Sequence, residues 1–361
     1  MQKTSRLRLF LPLAALLVMA LAWCSYWYIA SEKAKQSFAK NIEKNRAAGI
    51  EITCEQPLWG GFPYRFTLKC DRLVISGRKK VANFDISTGT FTAVAMAYNP
   101  RHLIGEIQSP ITVALTGRDG GDVAIAATGQ PVRMSVVGKS KPKRPDQISL
   151  QFDSMKGTVT ETHKTNASIE IVPFEIGHLN VHTRYAAVPA DGRAPFDVAV
   201  ITRNLSYGPD TRSPLLIKEA LEVDEGTFSA HITAVPLETR PNFSTWARDW
   251  HDGGGRLTVH DLKVASNFFT GSSRGDLELD RKGRLNGTLE GSVSGFDDLL
   301  ERLETADILK KKEAAVADTI MTLLGKSDKS DTAPGLKVKT ILKKGKLYFG
   351  PFKLTNIPPL F

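Results

Sequence analysis

The residues of this chain with the means to do chemistry are seven histidines, three cysteines and an aromatic string built around two glycines. Metal binding is the first possibility to weigh. His178 and His182 lie in Ile-Gly-His-Leu-Asn-Val-His-Thr-Arg, an alternation that reads as a strand. His178, Asn180, His182 and Arg184 share one face, and Leu179 and Val181 turn inward. Four residues along a strand cover ~13 Å, too far for one ion. His251 and His260 have no cysteine or carboxylate at a recognisable ligand spacing. No metal and no other cofactor is expected. Covalent catalysis lacks its motifs as well: there is no Gly-x-Ser-x-Gly elbow, no phosphate-binding loop and no dinucleotide fingerprint. The adjacent acids Asp297 and Asp298 suit a helix start, where the dipole favours negative charge. The expectation is that the protein is not an enzyme. A hydrolase without a recognisable motif is the alternative from that class.

The cysteines do different work. Cys24 sits in an apolar run and reads as a small buried residue. Cys54 and Cys70 flank a turn. Ile50, Ile52 and Cys54 share one strand face, Tyr64, Phe66, Leu68 and Cys70 another, and the residues between are polar. A hairpin centred on Phe62 places Cys54 directly across from Cys70, within disulfide reach. Two buried thiols are the plainer reading, but an oxidising compartment favours the bridge.

At the tip of that hairpin lies Trp59-Gly60-Gly61-Phe62-Pro63-Tyr64-Arg65. Two glycines permit a tight reversal, Pro63 stiffens its exit, and three aromatics crowd the tip. These aromatics either cap the sheet core or form an interfacial, ligand-facing tip, since Trp and Tyr suit an amphipathic boundary. Trp59, Phe62, Tyr64 and Arg65 are therefore candidate ligand or partner contacts. Trp246 and Trp250 are added from Asn242 to Asp252, where Phe243, Trp246 and Trp250 recur at helical spacing before Gly253-Gly254-Gly255.

The elements that must position these residues are mostly strands. Period-2 or β-rich runs separated by Gly, Asn, Asp and Pro recur from about Thr90 to Phe349, as a meandering antiparallel sheet requires. A second helical stripe runs from Phe296 to Gly325 and is expected to pack on the sheet. Gly138 to Asp146 and Gly325 to Pro334 read as polar linkers.

Before all of this, Lys3, Arg6 and Arg8 precede an uncharged apolar run from Leu9 to Ala30. At ~1.5 Å per residue the run spans ~30 Å, one bilayer core. Trp23, Tyr26, Trp27 and Tyr28 gather at its far end, as interfacial aromatics do. This is an N-in signal anchor, and retention is favoured over cleavage because the residues before Ala30 are not small. Lipidation at Cys24 fails because bulky Trp23 precedes it. Glu32 to Ala48 continues as a charged helix with a stop at Gly49.

The net charge of +10 follows the same geography. Residues 1–48 hold eight Lys and Arg against two Glu, so +6 is juxtamembrane and +4 remains for the body. Nucleic acid is not an expected partner. The basic stretches Lys139 to Arg144 and Lys337 to Lys346 are either solvated faces or contacts for anionic lipid.

The Trp-Gly-Gly-Phe-Pro element between cysteines behind a signal anchor resembles a proteobacterial envelope family, domain of unknown function 2125. Trp250 before Gly253-Gly254-Gly255-Arg-Leu-Thr-Val, the hairpin Gly275-Asp-Leu-Glu-Leu-Asp and the tail Lys346-Leu-Tyr-Phe-Gly-Pro-Phe-Lys-Leu-Thr-Asn-Ile-Pro-Pro-Leu are similar to it too. The resemblance covers nearly the whole chain and implies no catalytic residues.

The expected fold is mainly β: an extended antiparallel sheet body with a packed long helix, preceded by one transmembrane helix. The divisions are a cytoplasmic stub at 1–8, the anchor at 9–30, a juxtamembrane helix at 31–48 and a periplasmic body at 49–361, with a possible subdivision near 240. The expected function is non-catalytic, at the inner membrane in a single pass: a curved sheet that binds a lipid-like molecule. An envelope assembly scaffold that docks a protein partner without a small ligand is the alternative. A groove differs from a filled core in leaving roughly 300 Å³ or more of apolar volume unoccupied.

Overall fold

The structure is a computed structural model whose described residues are 6–78, 82–117, 121–138, 145–163, 168–185, 192–208, 221–237, 242–295, 336–349 and 352–361. The helix expected from Phe296, the linker before Pro334 and most of the linker after Gly138 lie outside them.

Helix α1 (Arg6–Ala47) is unbroken, joining the apolar run to its charged continuation. It closes on Gly49, whose φ of 77° is a left-handed stop. Phe10, Leu11, Leu13, Leu16, Leu17, Val18, Met19 and Leu21 point to all sides of the helix and are 59–68% exposed. A helix that is apolar all round and uncovered by its own protein is built for a non-aqueous surround. Its most apolar stretch has a mean hydropathy of 1.8, enough for one candidate membrane span.

The body is a meander of antiparallel strands in one twenty-stranded sheet. Its first ten strands are β1 (Ile50–Glu55), β2 (Leu58–Gly60), β3 (Arg65–Cys70), β4 (Arg72–Arg78), β5 (Ala82–Ser87), β6 (Phe91–Met96), β7 (Asn99–Ile107), β8 (Ile111–Gly117), β9 (Gly121–Thr128) and β10 (Val132–Gly138). They behave as five longer strands, each interrupted once. Thus β1 and β2 lie end to end against β4 and β3, which lie against β5 and β6, then β8 and β7, then β9 and β10. Strands β9 and β10 pair with opposite halves of β11 (Pro145–His163). From there each strand pairs with the next: β12 (Ser168–Tyr185), β13 (Arg193–Tyr207), β14 (Leu221–Pro236), β15 (Arg256–Ser266), β16 (Thr270–Leu279), β17 (Leu285–Ser294), β18 (Leu336–Lys343), β19 (Lys346–Phe349) and β20 (Phe352–Asn356). Strands β14 and β15, on either side of position 240, pair with each other, with irregularities between Val223 and Glu225 and between Ser229 and Ala230.

The interruptions line up across the sheet. They fall at Gln56-Pro57, Asp71, Thr88 to Thr90, Gln108 to Pro110 and Gly129 to Pro131, and continue as Ser154 in β11 and Asn204 in β13. Gln56, Ser154 and Asn204 have φ near +50°, and Gly129 has φ 157° at a place where a Cβ would strike the Ser154 carbonyl. A left-handed residue inside a strand bends it and shifts the alternation by one. Phe152 and Met155, three apart, therefore reach one cluster, with Ile107 and Ile111, and Val132 and Ala127, likewise drawn from both sides of the line. The sheet bends over its own apolar face along this line.

The expected disulfide between Cys54 and Cys70 is present, but its expected geometry is not. Cys54 of β1 stands opposite Leu73 of β4, and the β2–β3 ladder keeps the same register with Leu58 opposite Lys69. The hairpin is thus offset by three residues from one centred on Phe62. The interruption at Asp71 folds the strand and brings the two cysteine Cα atoms within 5.2 Å diagonally.

Helix α2 (Phe243–Asp252) follows its sequence signals closely. Asn242 caps it, Oδ1 accepting from the Thr245 amide at 2.8 Å, and Gly253 ends it. It seats Ala247 and Trp250 on Ile232, Leu257, Leu279 and Leu285, with Leu360 and Phe361 of the C-terminus closing over them.

Candidate functional site

Direct pairing across the ladders gives the clearest chemical pattern in the molecule. One row of facing residues runs Leu68, Ala93, Gly105, Met134, Leu150, Val181, Val200, Phe228, Leu262, Ser273, Gly291, Val338, one residue from each of twelve strands from β3 to β18. The next row, one residue along and on the opposite face, runs Lys69, Thr92, Glu106, Arg133, Gln151, Asn180, Ile201, Thr227, Lys263, Ser272, Ser292, Lys337. Alternation has therefore sorted the sheet into an apolar face and a polar face, with Ser273 the exception in the first row and Ile201 in the second. At ~4.8 Å between strands the apolar row is roughly 50 Å long.

Much of this face is half-buried rather than sealed, and Leu262 is 36% exposed. Between β15 and β18 it holds an open hollow of about 240 Å³ lined by Leu262, Val264, Phe269, Leu289, Val293 and Val338 over Gly271 and Gly291. That falls short of the roughly 300 Å³ of unoccupied apolar volume by which a groove was to differ from a filled core. The larger hollows, about 640 and 720 Å³, lie on the polar face among Asp261, Arg274, Glu290, Lys337 and Lys339 in the first and Arg256, Asp276 and Glu278 in the second.

The apolar face begins at α1. Leu68, Cys70 and Ala93 form a cluster with Phe38 of α1, Trp59, Phe91 and Leu103. Phe38 meets Trp59 edge-on at 5.8 Å between ring centroids. Trp27 lies over buried Phe66 at 5.7 Å and meets Phe62 edge-on at 5.3 Å. Three side chains of the same helix stretch donate to backbone carbonyls of two turns of the body. Trp23 Nε1 bonds Pro63 O at 3.0 Å, Trp27 Nε1 bonds Arg65 O at 3.0 Å, and the Tyr26 hydroxyl bonds Ala97 O at 2.8 Å. Gly61, with φ 102°, makes the first turn, and the Arg65 amide closes it on the Gly61 carbonyl at 3.0 Å. Phe62 is 56% exposed, Tyr64 71% and Tyr98, in the neighbouring turn, 77%.

The candidate residues thus fall into two groups. Trp59, Phe62, Tyr64 and Arg65 gather at the tip beside α1, with Trp59 half-buried against Phe38 and the other three exposed. Trp246 and Trp250 stack on each other at 6.1 Å inside the α2 cluster, and buried Trp250 donates its indole N–H to Thr233 O at 2.8 Å. Sequence reasoning missed Tyr98 and the bonds from Trp23, Tyr26 and Trp27. Only the turn-forming Tyr98-Asn99-Pro100 marked the second tip, and nothing local joins it to α1.

The polar face carries histidines in cross-strand pairs. His178 lies 2.6 Å from Asp153 and its bond holds that carboxyl below its ordinary range. Burial raises the Asp197 carboxyl, but bonds from His231 and Arg184 outweigh it and the net shift is downward. Ser149 and Ser135 bond His182 and His102 at 2.9 and 2.8 Å. Asp197 is engaged by His231 and Arg184, so the Ser149–His182 pair gains no carboxylate from it. Among the described residues no three His, Cys, Asp or Glu gather as a metal site.

No curated protein and no solved structure matches the chain significantly. A protein family does match, over residues 27–358, which takes in α1 from Trp27 onward, the disulfide and the whole described sheet. The chain belongs to that family, domain of unknown function 2125, described as an uncharacterized protein conserved in bacteria.

Proposed function

We propose that this is a non-catalytic cell-envelope protein, anchored in the inner membrane by residues 9–30 with its body in the periplasm, that holds a lipid-like molecule on the apolar face of its sheet. The observation that carries the reading is the apolar row from Leu68 to Val338, buried at its start beside α1, half-open from Met134 onward and backed by a polar row. A purely structural core would have the same alternation but would be sealed by a covering layer. The hollow above Gly271 matches a length of acyl chain better than a compact ligand, because it is mostly apolar, open and shares Leu262, Gly291 and Val338 with the row.

The test uses the full-length protein purified in detergent, extracted with organic solvent and examined by mass spectrometry. Phospholipid or lipid A should be retained in amounts comparable to the protein, above those of a control membrane protein in the same detergent. Gly271→Phe should lower retention while thermal unfolding stays unchanged, since a Cβ there meets only ordinary contacts with Phe269 and Ser292 and the ring occupies the hollow. Equal lipid in wild type, variant and control would leave the scaffold reading in its place.

A further inference from the structure

The three bonds from α1 to the turns of the body fix how deep those turns sit relative to the helix. Counted from Leu9 at ~1.5 Å per residue, Trp23 lies roughly 21 Å and Trp27 roughly 27 Å along an apolar run that fits a ~30 Å core. Pro63, Arg65 and Ala97 accept bonds from Trp23, Trp27 and Tyr26, so their carbonyls are at the same level as these side chains. If the helix spans a bilayer, the turns cannot remain in water while the indoles and phenol that hold them lie at the edge of the hydrocarbon.

From this we infer that the body is partly immersed: the two turns carrying Phe62, Tyr64 and Tyr98 insert into the interfacial layer of the leaflet from which α1 emerges. The inference rests on the reading of α1 as a membrane span and adds a second membrane contact made by the sheet itself. The chemistry of the tips suits that place. Phe62, Tyr64 and Tyr98 are large aromatics left exposed on turns, and rings with one polar end favour the headgroup boundary. Arg65 and Arg101 are exposed beside them, where long cationic side chains reach lipid phosphates. Phe66, buried directly behind the first tip, belongs to the apolar face, so immersion would bring the start of that face to the leaflet without a passage through water.

Depth measurement in vesicles tests this with the full chain. Cys24→Ser removes the one free thiol among the described residues, and single cysteines are then introduced by Tyr64→Cys, Tyr98→Cys, Glu51→Cys and Leu17→Cys. Each is spin-labelled in phosphatidylethanolamine and phosphatidylglycerol vesicles, and collisions with oxygen and with a water-soluble nickel chelate are compared. Labels at 64 and 98 should lose nickel collisions and gain oxygen collisions as the label at 17 does, while the label at 51, beyond the far end of α1, stays aqueous. Labels at 64 and 98 as nickel-accessible as the one at 51, with 17 still lipid-buried, would overturn the immersion and leave the anchor intact. Labels at 64 and 98 hidden from both quenchers would place protein, a second copy of the chain, on the tip and overturn it too. A nickel-accessible label at 17 would remove the anchor reading, and the immersion with it.

Discussion

At the scale of single residues, the hairpin between β16 and β17 shows how much one side chain can organise. Asp280 accepts from the amides of Lys282 and Arg284 and from the Arg284 guanidinium, the closest at 2.6 Å. The Arg284 bonds, chiefly, lower its carboxyl from the ordinary 3.8 to about 2. A carboxyl whose folded value is depressed stabilises the fold above its unfolded value and loses that contribution as pH falls through the folded one. Asp280→Asn should therefore lower stability at pH 6 by about 1 kcal/mol, after allowance for solvent screening. The gap to wild type should close between about pH 4 and pH 2, in thermal unfolding curves of the full chain in detergent. A gap that persists unchanged at pH 2 would mean the bonds act independently of charge. The hairpin that begins at Gly275-Asp-Leu-Glu-Leu-Asp is visible in the sequence, whereas the hold that Arg284 takes on its tip depends on side-chain geometry that spacing does not carry.

At the scale of elements, alternation was the readable signal and register was not. The hairpin around the Trp-Gly-Gly-Phe-Pro string formed where its turn residues indicated, but its ladder is set by β4 lying against β1. Positions of apolar residues specify which face a strand buries, and a shift of an even number of residues leaves that unchanged. A shift of an odd number needs a break such as the one at Asp71, which no local pattern announced. The disulfide spans that break and ties β1 to β3 across the bend, closing a separation of 16 residues. Replacing both Cys54 and Cys70 by Ser should cost about 2–5 kcal/mol of stability, read as a lower unfolding midpoint. Alkylation of wild-type protein denatured without reductant should label one cysteine, Cys24. Three labelled cysteines would show that the bridge does not form. Helix α2 was legible because its period and its glycine stop both lie within its own segment, while the Asn242 cap is a detail that the structure adds.

For the whole molecule, the arrangement of charge and apolarity along α1 gives the orientation to test. Positive residues precede the apolar run, and the body follows it. An alkaline phosphatase fused after Phe361 should be active, and a reporter that works only in the cytoplasm should be silent there. The reverse result would place the body inside the cell and remove the oxidising setting on which the disulfide reading depends. The sheet itself has a spatial order close to its chain order, each strand lying beside the next long one, which is why a meander was foreseeable from strand spacing alone.

What the sequence determined by itself is therefore what depends on nearest neighbours along the chain: the span of α1, the strand character of the body, helix α2 with its glycine stop and the opposite faces of each strand. What the tertiary structure decided is how those faces combine. Leu68 and Val338 are 270 residues apart in numbering, and only the ladders between β3 and β18 make them ends of one apolar row. The same holds for Tyr98, which becomes part of a candidate site because Tyr26, far away in the chain, bonds the carbonyl beside it. Periodicity reports which side of an element is apolar, but contact between distant elements depends on register, bend and twist, and these are summed over the entire sheet.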